Sequence, residues 1–327
     1  MVVCGDVFES NLVDRKTVLR AIEALKDVPV PVYLLPGNHD PLNAASVYRS
    51  TTFLERKPAH IHVIEDTTPI RVDEGIEIVG IPWTSKHPLQ DLVALTTGTL
   101  EPIAGALRVC VAHGMVDSIS PDPDDPAVIS LHAAENAISQ NKIHYLALGD
   151  RHSLTEVGDS GRIWYAGTPE ATDYNEVKPG FALVAAIDEE GVTTKEVNVG
   201  RWKFLEREQV DLNTKEDIEA LRGRLEKLED KERTVVKLRL VGALSLSLHA
   251  ELEELLSHVQ EILGAVETRM KNLVVIPEDA DFMDLGFSGF AGCTVARLRS
   301  NIEESGADSI TSLDALALLV RLAGRKL

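Results

Sequence analysis

Val30-Pro-Val-Tyr-Leu-Leu35, followed at once by Pro36-Gly-Asn-His-Asp40, is the stretch on which the fold turns. Its first half is a short run of β-branched, aromatic and aliphatic residues, the pattern of a buried strand. Its second half is a turn sequence that crowds an amide, an imidazole and a carboxylate together. Working outward, four further runs read as strands. Residues 2–4 end in Gly5-Asp6, residues 76–81 in Pro82-Trp83, residues 108–112 in His113-Gly114, and residues 143–148 in Gly149-Asp-Arg-His152. Between the first two, residues 15–25 place Val18, Ile22 and Leu25 at helical spacing. Short apolar strands separated by helices predict a layered α/β sheet with helices on its faces. Open sheets of this kind place ligands in the loops beyond the strand ends.

From about residue 200 the pattern changes. Residues 215–228 carry an amphipathic stripe of Ile218, Leu221, Leu225 and Leu228, with Asn213 or Thr214 as cap. Residues 234–241 alternate as a strand, residues 248–263 form a second leucine-rich helix, and 274–276 a short further strand. This order predicts a small α+β domain. Two more helices are expected over 294–304 and 312–322. Pro121-Asp-Pro-Asp-Asp-Pro126 reads as a solvated loop, because its prolines forbid a regular scaffold.

Composition narrows the function classes. The 327 residues carry 52 acidic and 33 basic side chains, a net charge of −19. Residues 1–200 hold 29 acidic against 15 basic, and 201–327 hold 23 against 18, so both segments are acidic. A module that grips a phosphate backbone through Lys and Arg alone is therefore excluded. No apolar run reaches the ~18–20 residues of a membrane span. No basic-then-apolar leader is seen, which predicts a cytoplasmic protein. Cys4, Cys110 and Cys293 lie far apart with no CxxC, and are expected as reduced, mostly buried thiols. Trp83 and Trp164 are read as packing residues. Lys231, Arg233, Lys237 and Arg239 are read as a solvated face, with phosphate contact as the alternative.

Asp6, Asn38, His39, Asp40, His113, Asp150 and His152 all fall just after predicted strands. Singly, each has a structural reading as turn residue, cap or core histidine. If the strands lie side by side, their loops converge. The resulting carboxylate, amide and imidazole donors suit Mn²⁺, Fe²⁺ or Zn²⁺. Two cations ~3.5–4 Å apart can clamp a phosphate and lower the pKa of a water.

The ordered set Gly5-Asp6, Gly37-Asn-His-Asp40, His113 and Gly149-Asp-Arg-His152 resembles the signature of the calcineurin-like metallophosphoesterases. Gly5-Asp-Val-Phe-Glu-Ser-Asn11, Ala147-Leu-Gly-Asp150 and Trp164-Tyr-Ala-Gly-Thr-Pro-Glu170 are similar to the nuclease subunit of SbcD-type DNA double-strand-break repair exonucleases. The resemblance is strong to about residue 200 and weaker beyond. It implies a phosphoesterase β-sandwich flanked by helices over 1–204, a smaller α+β capping domain over 205–282, and a helical tail over 283–327. It implies two divalent metal ions, Mn²⁺ first and Zn²⁺, Fe²⁺ or Mg²⁺ as alternatives. Asp6 would bridge them, Asn38 and His113 would bind the second, and His152 the first. His39 would be the acid or transition-state stabiliser, with Asp40 beside it. The implied activity is metal-dependent hydrolysis of DNA ends, alongside an SbcC-type coiled-coil ATPase and as a homodimer, without a membrane. The alternatives are a small-substrate phosphodiesterase or phosphatase, and a non-catalytic scaffold subunit.

Two departures stand out. Asp150 occupies the position of the first histidine in the family's Gly-His-X-His; a carboxylate there can still ligate. The family's opening Asp-X-His, which completes the first metal site, is not found ahead of Asp6. The expectation is a natural start upstream of Met1, with a trimmed chain and a degenerate scaffold as the alternatives.

Overall fold

The computed structural model describes residues 1–103, 105–188, 191–276, 289–303 and 308–324. The chain forms two compact units, Met1–Arg201 and Trp202–Leu327. In the first unit the elements run β1 (Val2–Val3), α1 (Arg15–Lys26), β2 (Val32–Leu34), α2 (Thr51–Arg56), β3 (Ile61–Val63), β4 (Ile70–Asp73) and β5 (Ile76–Gly80). They continue as α3 (Leu92–Thr99), β6 (Leu107–His113), α4 (Leu131–Ser139), β7 (Tyr145–Gly149), β8 (Thr155–Val157) and β9 (Ile163–Tyr165). An antiparallel pair, β10 (Phe181–Ile187) and β11 (Val192–Asn198), closes the unit. All five strands expected in this unit coincide with β1, β2, β5, β6 and β7, and the expected helix with α1.

Alternation along these strands builds the layers. In the parallel sheet β1-β2-β3, Val32 and Leu34 pack with Val18 and Ile22 of α1 and Phe53 of α2. Tyr33 and Leu35, on the opposite face, pack with Ile78 and Val111 of the second sheet. That sheet has the order β4-β5-β6-β7-β9-β8, with a parallel centre β5-β6-β7-β9 and antiparallel edges. Its far face sends Cys110, Ala112, Leu146 and Leu148 against Val93 of α3 and Ala134, Ala137 and Ile138 of α4. The result is helix, sheet, sheet, helix. Strands buried on both faces read as continuous apolar runs, which is why they were visible in the sequence.

The second unit is built from β12 (Lys203–Leu212), α5 (Lys215–Glu226), β13 (Thr234–Leu244), α6 (Leu246–Ile262) and β14 (Ala265–Val275). The three strands pair in parallel, in the order β12-β13-β14. Leu212, Val236, Leu238 and Leu240 of the sheet meet Ile218, Leu221 and Leu225 of α5 and Leu252, Leu255 and Val259 of α6. Thr214 caps α5 through a reciprocal capping box with Asp217. Two helices follow, α7 (Gly289–Glu303) and α8 (Asp308–Gly324), and bury Val295 and Leu316 with Leu246 of α6. Lys203 and Phe204 open β12, so they stand in this unit rather than before it. The expected boundary at 282/283 lies outside the described residues, as does Glu304 of the first tail helix.

The smaller readings resolve similarly. Cys110 is buried, Cys4 partly so, and Cys293 is exposed, because it sits on α7 away from the Val295 contact; all three are free. The Pro/Asp tract lies in exposed turns. Lys237 pairs with Glu206 at 3.0 Å, while Arg239 is exposed. No described helix is long and apolar enough to cross a membrane.

Candidate metal centre

β1, β2, β6 and β7 all deliver their C-terminal ends to one place, where the two sheets are in close contact. Two glycines permit that approach. A Cβ on Gly149 would lie 1.8 Å from the carbonyl oxygen of Cys4, and one on Gly5 would lie 2.1 Å from Nδ1 of His113. Gly5 also takes φ +99°, a left-handed value that side chains disfavour. Asp6 (φ +53°) and Asp150 (φ +93°) are themselves left-handed, a local strain characteristic of functional loops.

His113, at the end of β6, is the centre of the cluster. Its Nδ1 lies 2.8 Å from the carbonyl oxygen of Cys4, which can only accept, so Nδ1 carries a proton. Nε2 therefore faces the site. It lies 3.3 Å from Oδ2 of Asp6 and 3.6 Å from Oδ1 of Asp150. The Asn38 amide lies 2.8 Å from the same Nε2, and satisfies its neighbours when its nitrogen also donates to Asp6, at 2.9 and 3.1 Å. Rotating that amide by half a turn would offer its oxygen to a cation instead. Trp83 holds the ring from the side, edge-on at 5.6 Å, and its indole N–H donates to the His113 carbonyl at 2.8 Å.

The charges in this cluster are unbalanced. Burial alone would lower the pKa of His113, but the hydrogen bond and charge of Asp6, the Cys4 carbonyl and the charge of Asp150 together raise it. Burial would raise Asp6, yet His113 and the backbone N–H of His39 hold it below the ordinary carboxylate value. Asp150 is pushed up by burial, and the charge of Asp6 adds to this against the pull of His113. Two carboxylates thus share one imidazole. Ligand atoms of Asp6, His113 and Asp150 all lie within 4.8 Å of one another. This mixed donor set, two carboxylates and one imidazole, fits a borderline divalent cation.

The other expected residues sit differently. The ring of His39 is half exposed, and its Nδ1 lies 3.0 Å from the carbonyl oxygen of Glu9 and 3.4 Å from that residue's carboxylate. Asp40 does not face it. Asp40 is fully buried and accepts from the N–H groups of Gly37 and Phe8 and from the Tyr48 hydroxyl. Its place beside the His39 ring is taken by Glu9, because the turn points the Asp40 carboxylate inward to satisfy three buried donors. His152 lies outside the central trio, with Nδ1 2.7 Å from Oε1 of Glu176. Burial would raise Glu176, but bonds from Thr172, His152 and Asp173 outweigh it and lower its pKa. Glu9 and Glu176 come from loops, and no spacing in the sequence pointed to either.

The model of the family described as Calcineurin-like phosphoesterase matches residues 1–186. The chain belongs to this family. No curated protein matches it. The calcineurin-like match ends within β10, so it covers the sandwich and all seven expected site residues, and stops short of the second unit. As a calcineurin-like phosphoesterase the chain is a metal-dependent phosphoester hydrolase by family, and Asp6, Asn38, His113 and Asp150 are the residues that could hold its metal.

Proposed function

We propose that this phosphoesterase is a nuclease that hydrolyses phosphodiester bonds at DNA ends. The observation that carries the hydrolase reading is the convergence of Asp6, Asn38, His113 and Asp150 at the ends of four strands from two sheets. The nuclease reading is supported by the similarity of residues 5–11, 147–150 and 164–170 to SbcD-type exonucleases. A separate smaller unit following the sandwich, as a capping domain would, also favours it.

Bound divalent ions, Mn²⁺ in this proposal, supply positive charge to the phosphate oxygens and lower the pKa of an attacking water. Asp6, Asn38, His113, Asp150 and His152 would hold such ions. The Cys4 carbonyl keeps the Nδ1 proton of His113 in place, so its Nε2 lone pair remains directed into the site. The Glu9 carbonyl accepts from Nδ1–H of His39 and fixes the ring, leaving Nε2 to hold a proton for the leaving oxygen. With a net charge of −19, DNA capture would lean on a partner, an SbcC-type ATPase, with the phosphoesterase acting as a cytoplasmic homodimer.

The test is Mn²⁺-dependent cleavage of linear duplex DNA, compared with His39→Ala. The expected result is cleavage that is lost on chelation and falls by about 10²-fold or more in the variant. Hydrolysis of bis-p-nitrophenyl phosphate without DNA cleavage would instead identify a small-substrate phosphodiesterase. Retained DNA cleavage in His39→Ala would remove the proposed acid.

A further inference from the structure

The His152 ring is half exposed, yet its Nδ1 edge is closed by two oxygens. Oε1 of Glu176 lies 2.7 Å away and the Thr172 hydroxyl 2.9 Å. An ionised carboxylate can only accept. The Thr172 hydroxyl has one proton, and it already donates that proton to the same Oε1 at 2.5 Å. Within this three-way contact only His152 can supply the remaining proton, so it sits on Nδ1. In the neutral imidazole Nε2 then carries the lone pair.

The contact is held in place from both sides. The Glu176 side chain is only 6% exposed, and its second oxygen accepts from the backbone N–H of Thr172 at 2.9 Å. The strand of chain bearing His152 is laced to the segment bearing Glu176. Val177 N–H donates to the Ser153 hydroxyl at 3.0 Å, and Leu154 N–H to the Lys178 carbonyl at 3.0 Å. Thr168 N–H donates to the His152 carbonyl at 2.9 Å. A His–Glu ion pair whose imidazole is half exposed contributes little to stability and needs no such bracing. A carboxylate that selects one ring nitrogen does need it, since a histidine ligand is oriented through its other N–H.

We propose that Glu176, braced by Thr172, is a positioning residue that fixes His152 in its Nδ1–H tautomer and presents Nε2 as the metal-ligating atom. This rests on the assignment of His152 as a metal ligand in the hydrolase reading. It adds to that reading which nitrogen binds and which residue chooses it. The sandwich thereby treats its two histidine ligands alike: a backbone carbonyl selects Nε2 of His113, and a carboxylate selects Nε2 of His152.

The test uses the full 327-residue chain labelled with ¹⁵N-histidine, metal-free, at a pH where the imidazoles are neutral, with His152→Ala for assignment. In the wild type the ring nitrogens of His152 are expected as a protonated Nδ1 and a bare Nε2. Glu176→Ala should shift the ring toward Nε2–H, the form that dominates in water. Glu176→Gln should keep Nδ1–H, because its amide oxygen still accepts. Mn²⁺ titration calorimetry should show affinity about 10–100-fold weaker in Glu176→Ala, with partial rescue in Glu176→Gln. Should Glu176→Ala not fold, the glutamine variant still carries the comparison through its retained tautomer and lowered affinity. An Nε2–H wild type, or an alanine variant with wild-type tautomer and affinity, overturns the proposal. The two readings fail separately. A chain that shows the tautomer and affinity shifts but cleaves no phosphodiester supports the role of Glu176 and overturns the nuclease function.

Discussion

Tyr48 donates its hydroxyl to Oδ2 of Asp40 at 2.6 Å, and neither residue is reached by solvent. The bond ties the Gly37–Asp40 loop to the core cluster of Phe8, Tyr48 and Phe53, whose rings meet edge to face. Asp40 is thus a clamp that holds the loop bearing Asn38 and His39 from behind. A hydrogen bond to a charged group is worth about 1.5–3 kcal/mol, and burial leaves no water to replace it. Tyr48→Phe should cost about that much in urea unfolding of the metal-free chain. Asp40→Ala strands three buried donors and should cost about 3 kcal/mol or more. A loss under 0.5 kcal/mol for Tyr48→Phe would show that the clamp is not under load.

Gly5 provides the second test. Its place beside the His113 ring leaves no room for a Cβ, which would sit 2.1 Å from Nδ1, and its φ of +99° disfavours any side chain. Gly5→Ala should therefore push the ring out of position and break the Nδ1–Cys4 bond that aims Nε2. The expected outcome is Mn²⁺ affinity reduced by at least about 10-fold, as for loss of other ligand-orienting contacts. Calorimetric titration of the folded variant checks it, and wild-type affinity would contradict the placement of His113 as a ligand.

These two cases also show what could be read from the chain and what could not. The strand of residues 32–35 was legible because Val32 and Leu34 face helices while Tyr33 and Leu35 face a second sheet, so every position is apolar. The cap of α5 was legible to within one position, Asn213 or Thr214, because capping needs a particular residue type at a particular offset, and the structure selects Thr214. Most of β14 was not, because its Glu267, Arg269 and Lys271 are exposed and break the apolar run; only its last residues were expected. The inward turn of Asp40 was hidden because its partners Phe8 and Tyr48 are set by tertiary packing. Glu176 stands 24 residues beyond His152 in an irregular loop, where no periodicity relates them.

The pH dependence of metal binding follows from the directions of the shifts. His113 and Asp150 are both raised, and both must be deprotonated to ligate, so protons compete with the cation. Mn²⁺ affinity should fall as pH falls, and should keep rising above pH ~6.5, the ordinary histidine value, until the raised His113 has lost its proton. In the metal-free chain the sign is opposite. The His113–Asp6 pair contributes stability fully below the unfolded histidine value, and that stability is lost as pH rises through the raised pKa. On the acid side Asp6 is depressed, so its contribution is present above the unfolded carboxylate value and lost as pH falls through the folded one. Calorimetry in buffers of different ionisation enthalpy should record net proton release on Mn²⁺ binding near neutral pH. Proton uptake would reverse the assignment.

The last test lies at the end of β6 away from His113. Arg108, the second residue of the strand, has a side chain only 6% exposed, and its Nε donates to Glu77 on β5 at 2.5 Å. Its Nη1 donates to the carbonyls of Glu101 and Lys142, at 2.9 and 2.6 Å, so the guanidinium also ties two loop segments to the strand. Removing one partner of such a pair leaves a buried charge uncompensated, at a cost of about 3–5 kcal/mol; replacing both with apolar residues of similar volume is often neutral. Glu77→Ala should therefore destabilise strongly, whereas Glu77→Leu combined with Arg108→Met should recover part of the loss but not the two carbonyl bonds. Because β6 carries His113 at its other end, the single variant should also weaken Mn²⁺ binding by loosening the strand. Urea unfolding of the single and double variants, with and without Mn²⁺, separates the two effects. A single variant within 0.5 kcal/mol of wild type would show that water reaches Arg108 and that the strand is anchored elsewhere.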